Sequence, residues 1–265
     1  MTIPYITPKQ QEIIKLHYQY RFINTKQIQS FLRHKDKKTI NIWLKDLREK
    51  QYLEWDYSTK FGENTKPAIY HAGINGIRYL KTQSDYTMDV IQKLYRDGKR
   101  EEPFIQRCIL IADACLNLIT KSIKTSDAIF SFETVSDYEN ETSRFHFLTE
   151  TEIEPSLCFI KQKNSEKTYY LVDIFDATLP NYRIRKRLRN YYDFYQSSEW
   201  ESNITKTFPI LLFICPTKSV LIYAKRYTKK LLEENQNPTD LHIRFATADE
   251  IHELGITGEI WEEVK

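Results

Sequence analysis

Glycine is scarce in this chain of 265 residues, and its six occurrences build no phosphate-cradling loop. A phosphate loop, a dinucleotide fingerprint and a Gly-x-Ser-x-Gly elbow are all missing, which argues against the chemistries those loops support. The four cysteines (Cys108, Cys115, Cys158, Cys215) form no Cys-x-x-Cys pair, and His17, His34, His71, His146, His242 and His252 adjoin none of them. Zinc-ligand spacing is therefore absent. Each cysteine lies in an apolar run, which predicts a buried thiol. No continuous run reaches the roughly 18 apolar residues of a membrane span. The longest, Phe208 to Cys215, has the length of a strand. The first residues lack the basic region and small-residue cleavage site of a signal peptide. A cytoplasmic protein without a membrane partner is the expectation.

What is present is a globular composition, 41% hydrophobic and 28% charged, with aromatics at 14%. The net charge of +3 conceals an asymmetry. Residues 1–60 hold twelve Lys and Arg against six Asp and Glu, whereas the remainder holds 27 against 30. A basic head on a mildly acidic body points the head at a polyanion.

That head has a recognisable order. Thr7, Pro8 and Gln10 make a capping box, followed by Ile13, Leu16 and Tyr20 at helical spacing. Asn24 and Gln27 offer a second capping box before Ile28, Phe31 and Leu32. After the polar break Arg33–Lys38 comes a helix from Thr39 to Lys50, with Ile40, Trp43, Leu44 and Leu47 on one buried face. Its other face shows Lys37, Lys38, Asn41, Lys45 and Arg48. Long cations reach phosphates, and Asn and Arg suit adenine and guanine edges in the major groove. Alternating runs at Tyr52–Tyr57 and Pro67–Ala72 predict antiparallel strands around a polar tip, Ser58–Lys66, that carries Lys60 and Lys66 toward a backbone. A packing helix, Gly73–Leu80, follows. Residues 1–82 thus predict a winged helix-turn-helix that binds double-stranded DNA. A solvated basic face, or a winged helix that docks on protein, is the alternative.

Residues 83–103 are polar and read as a linker around one short helix, Met88 to Tyr95. Residues 104–265 predict an α/β domain. A helix from Phe104 to Lys121 precedes strands at Ala128–Val135, Ser156–Ile160 and Thr168–Phe175. A helix from Tyr182 to Tyr195, a strand at Phe208–Cys215, a helix from Lys218 to Leu232 and a strand at Leu241–Phe245 complete it. The fold class is α+β with a mixed sheet.

This order resembles the core of the PD-(D/E)xK nuclease superfamily. That resemblance implies a carboxylate on one strand, and a second carboxylate with a lysine on the next, around Mg2+ or Mn2+. Pro155 matches, but Ser156 stands at the aspartate and Phe175 at the lysine. Only Asp173 is in place, with Glu154, Asp176 and Lys186 near enough in sequence to compensate. No metal is expected unless the domain is an active nuclease, in which case Glu154, Asp173 and Lys186 are the catalytic candidates and Asp173 the metal ligand. Arg183, Arg185, Lys186, Arg187 and Arg189 form a dense basic set beside the stripe Ile184, Leu188, Tyr191 and Tyr195. They are candidates for secondary phosphate contacts, or for a solubilising surface.

Three stretches are similar to the replication-relaxation family of plasmids and other mobile elements. They are the N-terminal helices through Trp43–Leu53, the segment Ile69–Leu80, and Ile153–Ser156 with Val172–Asp176 and Arg183–Tyr195. The resemblance implies a DNA-binding role in replication, DNA relaxation or mobilisation, or transcriptional control. Ser156 and Phe175 depart from its pattern. Two other functions stay open: a metal-dependent nuclease with a rearranged site, and an assembly adaptor for replication or transfer proteins. A homodimer on paired half-sites is compatible with the fold, although no coiled-coil heptads demand one.

Overall fold

Capping chemistry sets the first helices where their sequences predict. The structure is a computed structural model and describes residues 3–56, 67–125, 128–205, 207–235 and 238–264. It divides into two compact units, Met1–Ala112 and Asp113–Lys265. In the first, α1 (Pro8–Tyr20) starts on the reciprocal Thr7–Gln10 box, and α2 (Thr25–Phe31) on the Asn24–Gln27 box. Between them Ile23–Asn24 form a two-residue strand, β1, too short to show alternation in the sequence. The third helix, α3 (Lys37–Glu49), begins two residues before the expected Thr39. Asp36 is the reason. Its carboxylate accepts from the Lys38 and Thr39 amides at 2.9 and 3.1 Å, and the Thr39 hydroxyl donates to it at 2.6 Å. These hydrogen bonds, that from the Thr39 side chain first, hold the Asp36 carboxyl below its usual pKa.

β2 (Leu53–Asp56) and β3 (Ile69–Ala72) pair antiparallel with Trp55 opposite Tyr70, and β1 completes a sheet of order β1-β3-β2. Lys60, Lys66 and the expected tip Ser58–Lys66 lie outside the described residues. The next helix, α4 (Ile74–Lys81), closes on the turn that follows α3. Contact there is too close for any side chain: a Cβ at Gly76 would lie 2.4 Å from the Tyr52 carbonyl oxygen, and one at Gly73 2.7 Å from that of Gln51. Ile13, Ile28, Ile40, Leu44, Leu47 and Leu80 fill the core. His17 is fully buried among them, and burial drives its pKa from 6.5 down to about 3.

Residues 83–103, expected as a linker around one short helix from Met88 to Tyr95, contain α5 (Met88–Leu94), whose Val90, Ile91 and Leu94 are buried. Asp97 beyond it is buried as well and is paired with Arg21. Polar composition hid this packing because few apolar side chains carry it, helped by the Asp97 ion pairs with Arg21 and Arg100 and by Tyr86 against Tyr18.

The helix α6 (Glu102–Lys124) contains the division between the units. By length and composition it is apolar enough to cross a membrane, which counting continuous runs misses because Gln106, Arg107, Asp113 and Asn117 interrupt it. Its Cys108, Ala112, Cys115 and Leu118 are buried in the protein, as on a core helix.

In the second unit β4 (Ile129–Thr134) leads through the single turn α7 (Val135–Tyr138) to β5 (Leu157–Lys163) and β6 (Glu166–Ile174). There follow α8 (Asn181–Gln196), α9 (Glu199–Asn203), β7 (Ile210–Cys215), α10 (Lys218–Glu233), β8 (Ile243–Thr247), α11 (Ala248–Leu254) and β9 (Glu262–Glu263). The sheet is mixed and runs β4-β5-β6-β7-β8-β9, with β6, β7 and β8 parallel and the other pairs antiparallel. The two parallel steps need crossovers, and α8 and α10 supply them. Their Leu188, Tyr191, Leu221 and Leu231 share one core with Cys158, Ile160, Leu171, Phe213 and Phe245 from one face of the sheet. All four cysteines are free and buried, as expected.

Candidate nucleic-acid interface

At 100° per residue, Lys37, Lys38, Asn41, Lys45 and Arg48 fall within an arc of about 100° on α3. Ile40, Leu44 and Leu47 occupy a separate arc and are buried. Lys37, Lys38, Asn41 and Lys45 are exposed. Trp43, expected in the buried set, is only half-buried and meets His34 edge-on at 5.1 Å. Ile42 is 65% exposed beside the basic arc.

The acids of α3 scarcely neutralise this face. Asp46 accepts from Gln10 of α1 at 2.6 Å and pairs with Lys50 at 2.8 Å, so it is turned to the helix packing. Glu49 pairs with Lys45 at 3.7 Å, both groups being well exposed, where such a pair contributes little.

Arg48 is half-buried because it has a platform. Its guanidinium carbon lies 3.4 Å from the centroid of the Trp55 ring on β2, a cation–π contact that holds the side chain in one direction. Tyr70, opposite Trp55 on β3, lies beside the same cation. Burial pushes its hydroxyl up in pKa, against hydrogen bonding to Thr25 and the nearby Arg48 charge. Trp55 and the Asp36 cap are the two contributors that the sequence left unassigned. The signal for Trp55 was an aromatic seven residues after Arg48, across a turn.

The residues of the nuclease comparison sit elsewhere, in the second unit. The Ser156 amide donates to the Val172 carbonyl at 2.7 Å, which brings Ser156 across from Asp173. The two positions are therefore adjacent, as the resemblance implies, but the chemistry is not that of a metal centre. Asp173 is 1% exposed, and Arg187 of α8 places Nη1 at 3.2 Å from its Oδ1. The Ile174 amide donates to that same oxygen at 2.8 Å. Phe175 is buried and stacks on Phe213 at 5.4 Å. Glu154 and Lys186 are exposed and do not join Asp173 behind the sheet. Among the described residues no group of three or more His, Cys, Asp or Glu converges on a point. One buried carboxylate already matched by a guanidinium does not fit a divalent cation.

The basic set of α8 splits in two. Arg183, Arg185, Lys186 and Arg189 are exposed, with Arg185 donating to the Tyr223 hydroxyl at 2.8 Å and Arg189 to that of Tyr227 at 3.4 Å. Arg187, expected to point outward with them, turns inward to Asp173 instead. It is two residues from Arg185 and Arg189, and the buried carboxylate draws it to the sheet side.

No protein-family model matches the sequence, and no curated protein matches it. Among solved structures, that of the restriction endonuclease FokI matches with a TM-score of 0.32 and 11% sequence identity. The match covers 92% of this chain and 42% of that one, so the chain spans about two-fifths of the FokI length.

Proposed function

We propose that residues 1–82 form a winged helix that binds double-stranded DNA, with α3 in the major groove. Residues 104–265 would serve as a nuclease-like scaffold without metal-dependent catalysis. One observation carries the first statement: Lys37, Lys38, Asn41 and Lys45 stand exposed on one arc of α3, with Arg48 braced over Trp55 beside them. The element order, three helices and a hairpin whose second strand lies between β1 and β2, supports the winged helix. Asn41 and Arg48 would read base edges, and the lysines, with Lys60 and Lys66 from the sequence between β2 and β3, would hold phosphates. The process would be replication, DNA relaxation or mobilisation, or transcriptional control on a plasmid or other mobile element, as the sequence resemblance implies. A cytoplasmic protein, able to pair on two half-sites and to recruit replication or transfer proteins, fits the same role. In that setting α6 is a core helix and no membrane takes part.

Asp173 does not favour the nuclease alternative, because its carboxylate is buried against Arg187. A mobility-shift assay on the full chain tests the DNA-binding proposal. Lys45→Glu with Arg48→Glu should abolish the duplex shift while the protein stays folded. An unchanged shift would remove α3 from the interface.

A further inference from the structure

The sheet face turned away from α8 and α10 carries a second concentration of aromatic and basic side chains. Strand alternation sends Cys158, Ile160, Leu171 and Phe213 toward those helices, so Phe159, Lys161, Tyr170 and Arg244 emerge on the reverse. A cavity of about 320 Å³ opens there, wholly within Asp113–Lys265. That volume lies at the lower end of the range for small-ligand sites.

Its aromatic wall is ordered. Phe159 is buried and stacks on Tyr170, with centroids 4.3 Å apart and planes 7° from parallel. Phe130 of β4 adds a tilted ring 6.4 Å from Phe159. Trp261 donates its indole N–H to the Ile256 carbonyl at 2.9 Å, which fixes the orientation of its half-buried ring.

Its basic wall is largely unneutralised. Lys121 of α6, Lys161 and Lys163 of β5, and Arg244 of β8 all line the cavity, and no acidic side chain does among the described residues. Arg244 meets Glu263 at 3.5 Å. The three lysines have no ion-pair partner among the described residues. Gathering like charges around one hollow is unfavourable unless an anion is met there.

Flat rings beside free cations suit a ligand that has both a π-face and phosphates. Lys161 and Lys163 lie two residues apart along β5, about 7 Å, a repeat that follows a phosphate backbone better than one terminal phosphate. We infer that this groove binds single-stranded nucleic acid. One base stacks against Tyr170 and Trp261, and the flanking phosphates lie on Lys121, Lys161 and Lys163. The site is in the second unit and does not depend on the duplex role of α3.

Fluorescence anisotropy of the full chain with a labelled oligothymidine of about 12 nucleotides tests it. Joint replacement Lys121→Gln, Lys161→Gln and Lys163→Gln should weaken oligothymidine binding at least tenfold. It should also reduce the slope of log affinity against log salt by about two, at roughly 0.7 per single-strand phosphate contact. Trp261→Ala should weaken binding by about tenfold through lost stacking. Duplex affinity should be unchanged in both variants, and Lys45→Glu with Arg48→Glu should spare oligothymidine binding, so failure of either site is seen separately. Thermal melting checks that each variant folds, and Trp261→Phe should restore binding. Unchanged oligothymidine affinity in the lysine variant would overturn the inference. So would an equal loss on duplex and single strand, or thymidine triphosphate binding as tightly as the oligomer.

Discussion

Arg187 holds its guanidinium 3.2 Å from the carboxylate of Asp173, a side chain only 1% exposed, at the place where the nuclease resemblance implies a divalent cation. The protein thus supplies the positive charge itself, from α8. Removing one partner of such a pair strands a charge in the core, whereas removing both does not. Arg187→Ala should therefore destabilise the second unit by about 2–3 kcal/mol, less than for a fully buried pair because Arg187 is 24% exposed. Asp173→Leu with Arg187→Leu should recover most of that loss. Urea denaturation measures both, and a neutral Arg187→Ala would show that the pair contributes nothing.

The same geometry predicts the outcome with metal. Supercoiled plasmid incubated with the protein and Mg2+ or Mn2+ should remain supercoiled. Nicking that disappears in Asp173→Ala would contradict the assignment of this domain as a scaffold.

His17 gives the first unit a defined acid sensitivity. Its pKa is depressed from 6.5 to about 3 in the folded state, chiefly by burial. Below pH 6.5 the unfolded chain takes up a proton that the folded chain refuses, so stability is lost as pH falls from 6.5 toward 3. Above 6.5 both states are neutral and the residue adds no pH dependence. The slope should approach about 1.4 kcal/mol per pH unit within that window. Thermal melting of the wild type against His17→Gln between pH 4 and 7 measures it. Parallel curves would show that His17 is not the titrating group.

Gly76 ties the fold of the first unit to its basic helix. A methyl group there meets the Tyr52 carbonyl at 2.4 Å, and backbone cannot swing aside as a side chain can. Gly76→Ala should cost about 2–3 kcal/mol, the upper range for overpacking, and should loosen the turn after α3. A denaturation midpoint equal to that of the wild type would show that α4 can shift freely.

Trp55 positions Arg48 without being basic. Trp55→Ala should weaken duplex binding about two- to fivefold, the worth of one partly exposed cation–π contact, and leave the salt dependence unaltered. A loss as large as that of Arg48→Glu would mean that Trp55 contacts DNA itself.

Much of the fold was legible because its signals are local. Thr7 with Gln10, and Asn24 with Gln27, state two helix starts in four residues each. The β-branched and aromatic enrichment of β6 and the apolar run of β7 mark both as strands. What escaped depends on partners distant in sequence. β1 exists only because Ile23 pairs with Tyr70. Trp43 looked like core at helical spacing, yet Ile40, Leu44 and Leu47 suffice to fill that side. Arg187 was indistinguishable from its basic neighbours until Asp173 came within reach. The Phe159–Tyr170 wall needed the β5–β6 register, which no spacing within one strand reveals.

The salt dependence of duplex affinity on the full chain bears most directly on α3 as a DNA-reading helix. Five lysines assigned to phosphates, Lys37, Lys38 and Lys45 on its outer arc with Lys60 and Lys66, predict a slope of log affinity against log salt of about −4 to −5, at roughly 0.9 per phosphate. The variant Lys37→Gln with Lys38→Gln should flatten that slope by about two. An affinity indifferent to salt, or a slope that this variant leaves intact, would contradict the account.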